Sequence, residues 1–190
     1  MGSLKILCGN IVDDRFLMLG DAIVNPTNPM MRMGSGVSEA IFKKAGIDKL
    51  EQYTEQQFKI SYSDSSRKNE MKPTEIRVTP GFRIPCDIIF AQSPNLYNYE
   101  EPDKEIAYGL LYQTYENVLQ FAENKGYHTL LLPSLGTGHY GFRHEMVAPK
   151  VMEILKNYTA HHKLNVVLIL FDEKTASLYK TWGNTQETIS

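Results

Sequence analysis

The chain has 190 residues, of which 42% are hydrophobic, and its formal net charge at pH 7 is −2. This composition supplies one sizeable core, so we expect a single domain over residues 1–190. The slightly negative net charge predicts that the protein does not bind nucleic acid. The sequence shows neither an apolar run long enough to span a membrane nor a signal-peptide pattern, so we expect a cytoplasmic protein that does not bind membranes.

Short apolar runs rich in β-branched residues alternate with helical patterns along the chain. Several runs are apolar almost throughout, which is typical of strands covered on both faces. The alternation predicts an α/β layered fold with a mostly parallel sheet. The predicted strands are residues 4–8, 21–25, 75–79, 87–92, 128–132 and 165–171.

The predicted helices carry apolar residues at helical spacing, and this pattern places Ile106 and Met146 on inner faces. Gly46 is expected to end the first helix. Residues 51–72 are polar and irregular in pattern, which predicts a helix plus an exposed loop. The predicted helices are residues 38–45, 103–124, 144–158 and 174–182.

Cysteine and histidine usage indicates neither a disulfide framework nor a metal site. Cys8 and Cys86 lie in or beside apolar runs, as buried thiols do in a reducing compartment. The adjacent His161 and His162 do not have the spacing of a zinc site. We expect no metal and no cofactor, and nothing in the sequence requires a dimer, so we expect a monomer.

Two glycine-rich loops each follow a predicted strand. The first is Gly34-Ser35-Gly36-Val37, and the second runs from Gly136 to Gly141. Glycine lets a ligand approach the main chain closely, and a helix N-terminus offers unpaired N–H donors. Ligands of open α/β sheets bind beyond the carboxyl ends of the strands. The pair of loops therefore predicts a ligand with two phosphates, the alternative being two ordinary strand–helix turns.

Several motifs occur in a fixed order: Cys8-Gly9-Asn10-Ile11, Asp21-Ala22-Ile23-Val24-Asn25-Pro26-Thr27-Asn28, the first glycine-rich loop, Thr79-Pro80-Gly81-Phe82, and Pro133-Ser134-Leu135 leading into the second loop. In this order they resemble the macro domains, a family that binds ADP-ribose. The resemblance covers nearly the whole chain. It implies a three-layer α/β/α sandwich around a mixed, mostly parallel six-stranded sheet.

The resemblance also implies a set of ligand-binding residues, in which N–H groups of both loops hold the diphosphate. Phe171 would stack on adenine, and Tyr140 would pack against the distal ribose. The alternative for Phe171 is a core aromatic at a strand end. The implied set is Asn10, Ile11, Asn28, Gly34, Ser35, Gly36, Val37, Ser134, Gly136, Thr137, Gly138, His139, Tyr140 and Phe171.

Two asparagines have an alternative role as turn formers. Asn10 stands where the family usually has an aspartate that accepts a hydrogen bond from the adenine amine, so this bond would lose its charge assistance. Asn28 matches the asparagine that contacts the distal ribose. In hydrolytic members that asparagine also helps to place substrate and water, so Asn28 is a candidate catalytic residue.

Two positions depart from the family pattern. Ser38 stands where one hydrolytic subfamily has an aspartate that activates water, and a serine is no general base near neutral pH. We expect Ser38 to cap the helix instead. His139 replaces a small apolar residue, and an imidazole beside the distal ribose could act as general base or acid. His139 is therefore the second candidate catalytic residue, the alternative being a side chain that points to solvent.

The sequence predicts an ADP-ribose-binding macro domain that removes ADP-ribose from a modified protein or hydrolyses an ester such as O-acetyl-ADP-ribose. Its partner would be ADP-ribose or an ADP-ribosylated protein. The main alternative is a non-catalytic reader with the same pocket. An unrelated nucleotide binder and a DNA-directed hydrolase are further alternatives. Lys43 and Lys44 could serve the latter, but the acidic balance gives it little support.

Overall fold

A mixed six-stranded sheet forms the centre of the computed structural model, which describes residues 1–63 and 66–184. The spatial order of the strands is β1-β8-β7-β2-β6-β5, and every neighbouring pair is parallel except the antiparallel pair of β5 and β6. The strands are β1 (Leu4–Cys8), β2 (Ala22–Pro26), β5 (Ile76–Thr79), β6 (Asp87–Ala91), β7 (Thr129–Leu132) and β8 (Asn165–Leu170).

Helices cover both faces of this sheet. The helices are α1 (Asp14–Leu17), α2 (Val37–Ala45), α3 (Ile47–Phe58), α4 (Lys104–Asn124), α5 (His144–His161) and α6 (Glu173–Asn184), and a 3-10 turn spans Leu96–Asn98.

The apolar strands bury both of their faces, so the core has two parts. In β2, Ala22 and Val24 pack with α4, α5 and α6, whereas Ile23 packs with α1, α2 and α3. Alternate residues of a strand point to opposite faces, which is why an almost continuous apolar run fits a strand in the middle layer. The predicted α/β/α sandwich is confirmed.

The region over residues 51–72 differs in detail from the prediction. Helix α3 starts at Ile47, directly after Gly46, which is shared by the end of α2 and the start of α3. It is followed by a small antiparallel hairpin of β3 (Ser61–Ser63) and β4 (Ser66–Lys68). The hairpin was expected as a loop, because its strands are short and polar and do not join the main sheet.

Two predicted inward residues are exposed instead. Ile106 and Met146 are 56% and 59% exposed, and each lies in the first turn of its helix. The buried stripes of α4 and α5 begin one residue later, at Ala107 and Val147. Both cysteines are free thiols, with Cys86 buried and Cys8 only partly so. Among the described residues, no helix combines the length and apolarity that crossing a bilayer requires.

Candidate functional site

A cavity of about 770 Å³ opens where the carboxyl ends of three parallel strands meet. Pro26 ends β2, Ser93 follows β6 and Ser134 follows β7, and all three line the cavity. This volume lies within the range of small-molecule sites, roughly 300–1,000 Å³. Both glycine-rich loops contribute to the lining, so the structure brings together the two motifs that the sequence singled out.

Asn28 holds a tight turn over residues 28–32 that leads into the first loop. Its Oδ1 accepts hydrogen bonds from the N–H groups of Met30 and Arg32, each at 3.2 Å, and its Nδ2 donates to the Arg32 carbonyl at 2.9 Å. Asn28 is thus a turn former, and it also lines the cavity. An asparagine amide carries two N–H donors. One of them is left for a ligand.

Ser38 does not cap helix α2, contrary to the prediction. The helix begins at Val37, and the residue before it, Gly36, has a φ of +62° that favours glycine. The Ser38 hydroxyl instead accepts a hydrogen bond from the Gly34 N–H at 3.2 Å. It therefore ties the loop to the helix and satisfies one of the loop's donors.

Within residues 1–63 and 66–184, no hydrogen bond uses the N–H groups of Ser35, Gly36 or Val37. The last of these opens helix α2, whose N-terminus carries a partial positive charge. Three consecutive free donors at a helix N-terminus suit an anion.

The second loop is fixed at both ends and presents its own donors between them. The Leu135 N–H donates to the buried Tyr115 hydroxyl at 2.7 Å, and the Phe142 N–H donates to the Gly136 carbonyl at 3.1 Å. Across the part of the chain that the structure describes, the N–H groups of all five residues from Gly136 to Tyr140 lack a partner. This loop is therefore a second, pre-ordered set of anion donors.

Tyr140 is held in position by two hydrogen bonds. Its carbonyl accepts a hydrogen bond from the Leu96 N–H at 2.9 Å, and its hydroxyl accepts a longer one from Gln92 Nε2 at 3.4 Å. The ring is half-buried and lines the cavity. A tyrosine held at both its main chain and its hydroxyl can serve as a fixed apolar wall for a ligand.

Among residues 1–63 and 66–184, no acidic residue lines the cavity, and histidine is the only basic residue type on its wall. Of the two lining histidines, His139 is exposed, while His144 is half-buried at the start of α5. Burial lowers the pKa of His144, against the smaller opposing effect of the Glu145 and Asp172 carboxylates. His144 is a functional candidate that sequence analysis missed, because only the folded chain brings it to the cavity wall.

Three predicted ligand residues lie outside the cavity lining, just beyond the carboxyl ends of β1 and β8. Asn10 is exposed and its Oδ1 accepts a hydrogen bond from the Val12 N–H at 3.2 Å, as a turn former does. Ile11 is only 4% exposed and belongs to the core. Phe171 is 81% exposed, so its alternative role as a core aromatic is wrong.

The other predicted ligand residues all line the cavity: Asn28, Gly34, Ser35, Gly36, Val37, Ser134, Gly136, Thr137, Gly138, His139 and Tyr140. Thr137 and Ser134 bond to each other through their hydroxyls at 2.7 Å. Residues 61–63 and 66–72 contribute no lining residue, and residues 64–65 lie outside the described part of the chain.

A family model of the macro domain matches residues 24–151. A macro domain-containing protein of Lactiplantibacillus plantarum is 28% identical over 185 residues, which are 95% of this chain and 96% of the relative. An O-acetyl-ADP-ribose deacetylase of Enterobacter cloacae is 28% identical over 163 residues, which are 84% of each chain.

Solved structures show the same fold. The Oceanobacillus iheyensis macrodomain with ADP superposes with a TM-score of 0.79 at 23% identity, covering 98% of this chain and 93% of that one. A mutant of that macrodomain with ADPR superposes with a TM-score of 0.77 at 25% identity, covering 94% and 90%.

Proposed function

The chain belongs to the macro domain family, and from this premise we propose that it binds ADP-ribose and hydrolyses an ADP-ribose linkage. The bond would join ADP-ribose to a protein or to an acyl group, as in O-acetyl-ADP-ribose. The observation that carries the proposal is the pair of unpaired N–H runs, at residues 35–37 and 136–140, on one cavity. Two anion sites on one cavity match the two phosphates of a diphosphate.

The remaining contacts follow from the order of the strands. Asn28 and the first loop lie after β2, whereas Phe171 lies after β8 and Asn10 after β1. All four lie beyond the carboxyl ends of the parallel strands, and β7 separates β2 from the β1–β8 pair. We place the distal ribose beside Asn28 and Tyr140, and the adenine on the exposed ring of Phe171. An exposed aromatic face is a suitable platform for stacking a base.

The proposed reaction places a water molecule against C1″ of the distal ribose, or against the acyl carbon of an ester substrate. The water oxygen bonds to that carbon, and the bond to the protein side chain or to the ribose oxygen breaks. The leaving atom takes up the proton that the water gave to the base. The diphosphate, held by the loop N–H groups, fixes the substrate so that the bond to be cleaved lies near Asn28 and His139. An imidazole can take a proton from water near neutral pH. Because none of the carboxylates in the described part of the chain lines the cavity, His139 is the side chain proposed to activate the water.

A reader function has one observation in its favour, which is that no acidic residue of the described chain lies on the cavity wall. The support for hydrolysis comes from relatives such as the Enterobacter cloacae protein that is named an O-acetyl-ADP-ribose deacetylase. A reader and a hydrolase would share the whole diphosphate site. They differ in whether free ADP-ribose is released.

We expect calorimetric titration to show micromolar binding of ADP-ribose, with ADP bound at least about tenfold more weakly because it lacks the distal ribose. NAD serves as a second control, since its distal ribose carries nicotinamide. Equal affinity for ADP and ADP-ribose would contradict the ribose contact. Incubation with a mono-ADP-ribosylated protein and with O-acetyl-ADP-ribose, followed by mass spectrometry, then separates the two functions: released ADP-ribose identifies a hydrolase, and intact substrate identifies a reader.

Replacing Asn28 with aspartate tests the ribose contact. The aspartate retains both acceptor bonds of the turn, from the N–H groups of Met30 and Arg32. It loses the bond that Nδ2 donates to the Arg32 carbonyl, and it has no N–H for the ligand. We expect ADP-ribose affinity to fall about tenfold, which is the loss of roughly one hydrogen bond. Affinity for ADP should change much less. An equal loss for both nucleotides would show that the effect comes from the added charge and not from the ribose.

A further inference from the structure

His144 is held in one orientation by a buried tyrosine. Its Nδ1 lies 3.0 Å from the Tyr179 hydroxyl, and the two rings meet edge to face at 5.7 Å. Tyr179 is 0% exposed, although it comes thirty-five residues later in the chain, on α6. The imidazole is thus fixed through Nδ1 by the core, and His144 is also one of the residues that line the cavity.

This contact selects one form of the imidazole. Among the described residues, His144 is the single hydrogen-bond partner of the Tyr179 hydroxyl. If the hydroxyl accepted a proton from Nδ1, its own proton would be buried without an acceptor, which is unfavourable. Tyr179 therefore donates to Nδ1, and the ring proton resides on Nε2. Burial raises the pKa of Tyr179 and lowers that of His144, so both groups keep these forms near neutral pH.

The position of His144 indicates which part of a ligand it meets. It begins α5 directly after the second loop, and the Asp172 carboxylate after β8 is close enough to influence its titration. In the strand order β8-β7-β2, this is the end of the cavity opposite Asn28. A ligand whose distal ribose lies at Asn28 would present its adenosine half to His144.

We propose that His144 is a ligand-binding residue that donates a hydrogen bond from Nε2 to the adenosine-side phosphate of ADP-ribose, with Tyr179 as the positioning residue that sets its tautomer. This inference rests on the proposed function, because it takes ADP-ribose as the ligand. The contact adds a side-chain donor to the main-chain donors of the two loops. It adds no charge, so it favours a phosphate oxygen by geometry and not by general attraction of anions.

Two amide variants separate the two nitrogens of the imidazole. His144→Asn places its amide near the position of Nδ1, where it can accept from Tyr179 but is too short to reach the ligand. His144→Gln places an N–H₂ group near the position of Nε2, where it can donate to the ligand but leaves Tyr179 without an acceptor. We therefore expect His144→Asn to be the more stable variant and His144→Gln to be the tighter binder.

Calorimetry with ADP-ribose and with ADP, together with the melting temperature of each variant, tests the proposal. We expect His144→Asn to bind both nucleotides about tenfold more weakly than the wild type, which is the loss of roughly one hydrogen bond to a charged group. We expect His144→Gln to bind both within about threefold of the wild type, at a lower melting temperature than His144→Asn, since one lost hydrogen bond is only partly replaced.

The remaining outcomes overturn parts of the argument in distinguishable ways. Unchanged affinity in His144→Asn, or equal weakening in both variants, would overturn the donor role. Weakening for ADP-ribose alone would move the contact to the distal ribose and overturn the assignment to the adenosine-side phosphate. Failure of the wild type to bind ADP-ribose would overturn the proposed function itself, and the inference with it.

Discussion

Replacing Gly136 with alanine is expected to destabilise the protein by about 2–4 kcal/mol and to lower its melting temperature by about 4–16 °C. Gly136 has a φ of +74°, which an alanine adopts only with strain. An added Cβ would also lie 2.8 Å from the Phe142 ring and 3.1 Å from Leu111. Backbone strain and overpacking therefore act together at the point where the second loop leaves the core.

Gly138 provides the matched control in the same loop. No atom of the described residues, its chain neighbours aside, lies within 4 Å of the position that its Cβ would take, and its φ is outside the left-handed region. Thermal unfolding of Gly138→Ala should match the wild type within about 1 °C, as for a surface substitution of roughly ±0.5 kcal/mol or less. We expect Gly136→Ala also to weaken ADP-ribose binding, because its loop carries five of the free N–H groups. Equal melting temperatures for the two variants would contradict the packing at Gly136.

Replacing His139 with alanine is expected to lower turnover about 10²-fold while ADP-ribose affinity stays within about threefold of the wild type. The reason is that the proposed role of His139 is proton transfer, which contributes to the transition state more than to binding. Its side chain is exposed at the cavity, so its removal leaves no cavity in the core. Release of ADP-ribose under saturating substrate is the measurement.

His128→Ala is the control, since His128 is also exposed and does not line the cavity. Its structural contact to Asp21 is made by its main-chain N–H, which alanine retains. Turnover of this variant should equal that of the wild type. If His139→Ala is as active as His128→Ala, the imidazole at position 139 has no part in the reaction.

The sheet could be predicted from the sequence because its signal is local. Each apolar run became a strand within one residue of its expected ends, for example Leu4–Cys8 and Thr129–Leu132. Helix α3 was harder to place, because its start at Ile47 follows Gly46 with no loop between the two helices. A glycine that ends one helix is not expected to begin another.

The cavity wall could be predicted only where it consists of motif residues. The glycines identify the two loops in the sequence, and both loops line the cavity. His144 carries no such signal, because its role depends on Tyr179, which only the docking of α6 against α5 brings within hydrogen-bonding distance. Ser38 was misassigned for a similar reason: the start of α2 is set by the backbone at Gly36 and not by the nearest capping side chain.

The anion donors described above belong to the main chain, which every residue except proline supplies equally. At Ser35, Thr137 or His139 the backbone can therefore offer the same hydrogen bond whichever side chain evolution places there. Such a site tolerates side-chain substitutions as long as the path of the main chain is kept. The positions that such a site does constrain are the few, such as Gly136 with its φ of +74°, at which the chain must bend.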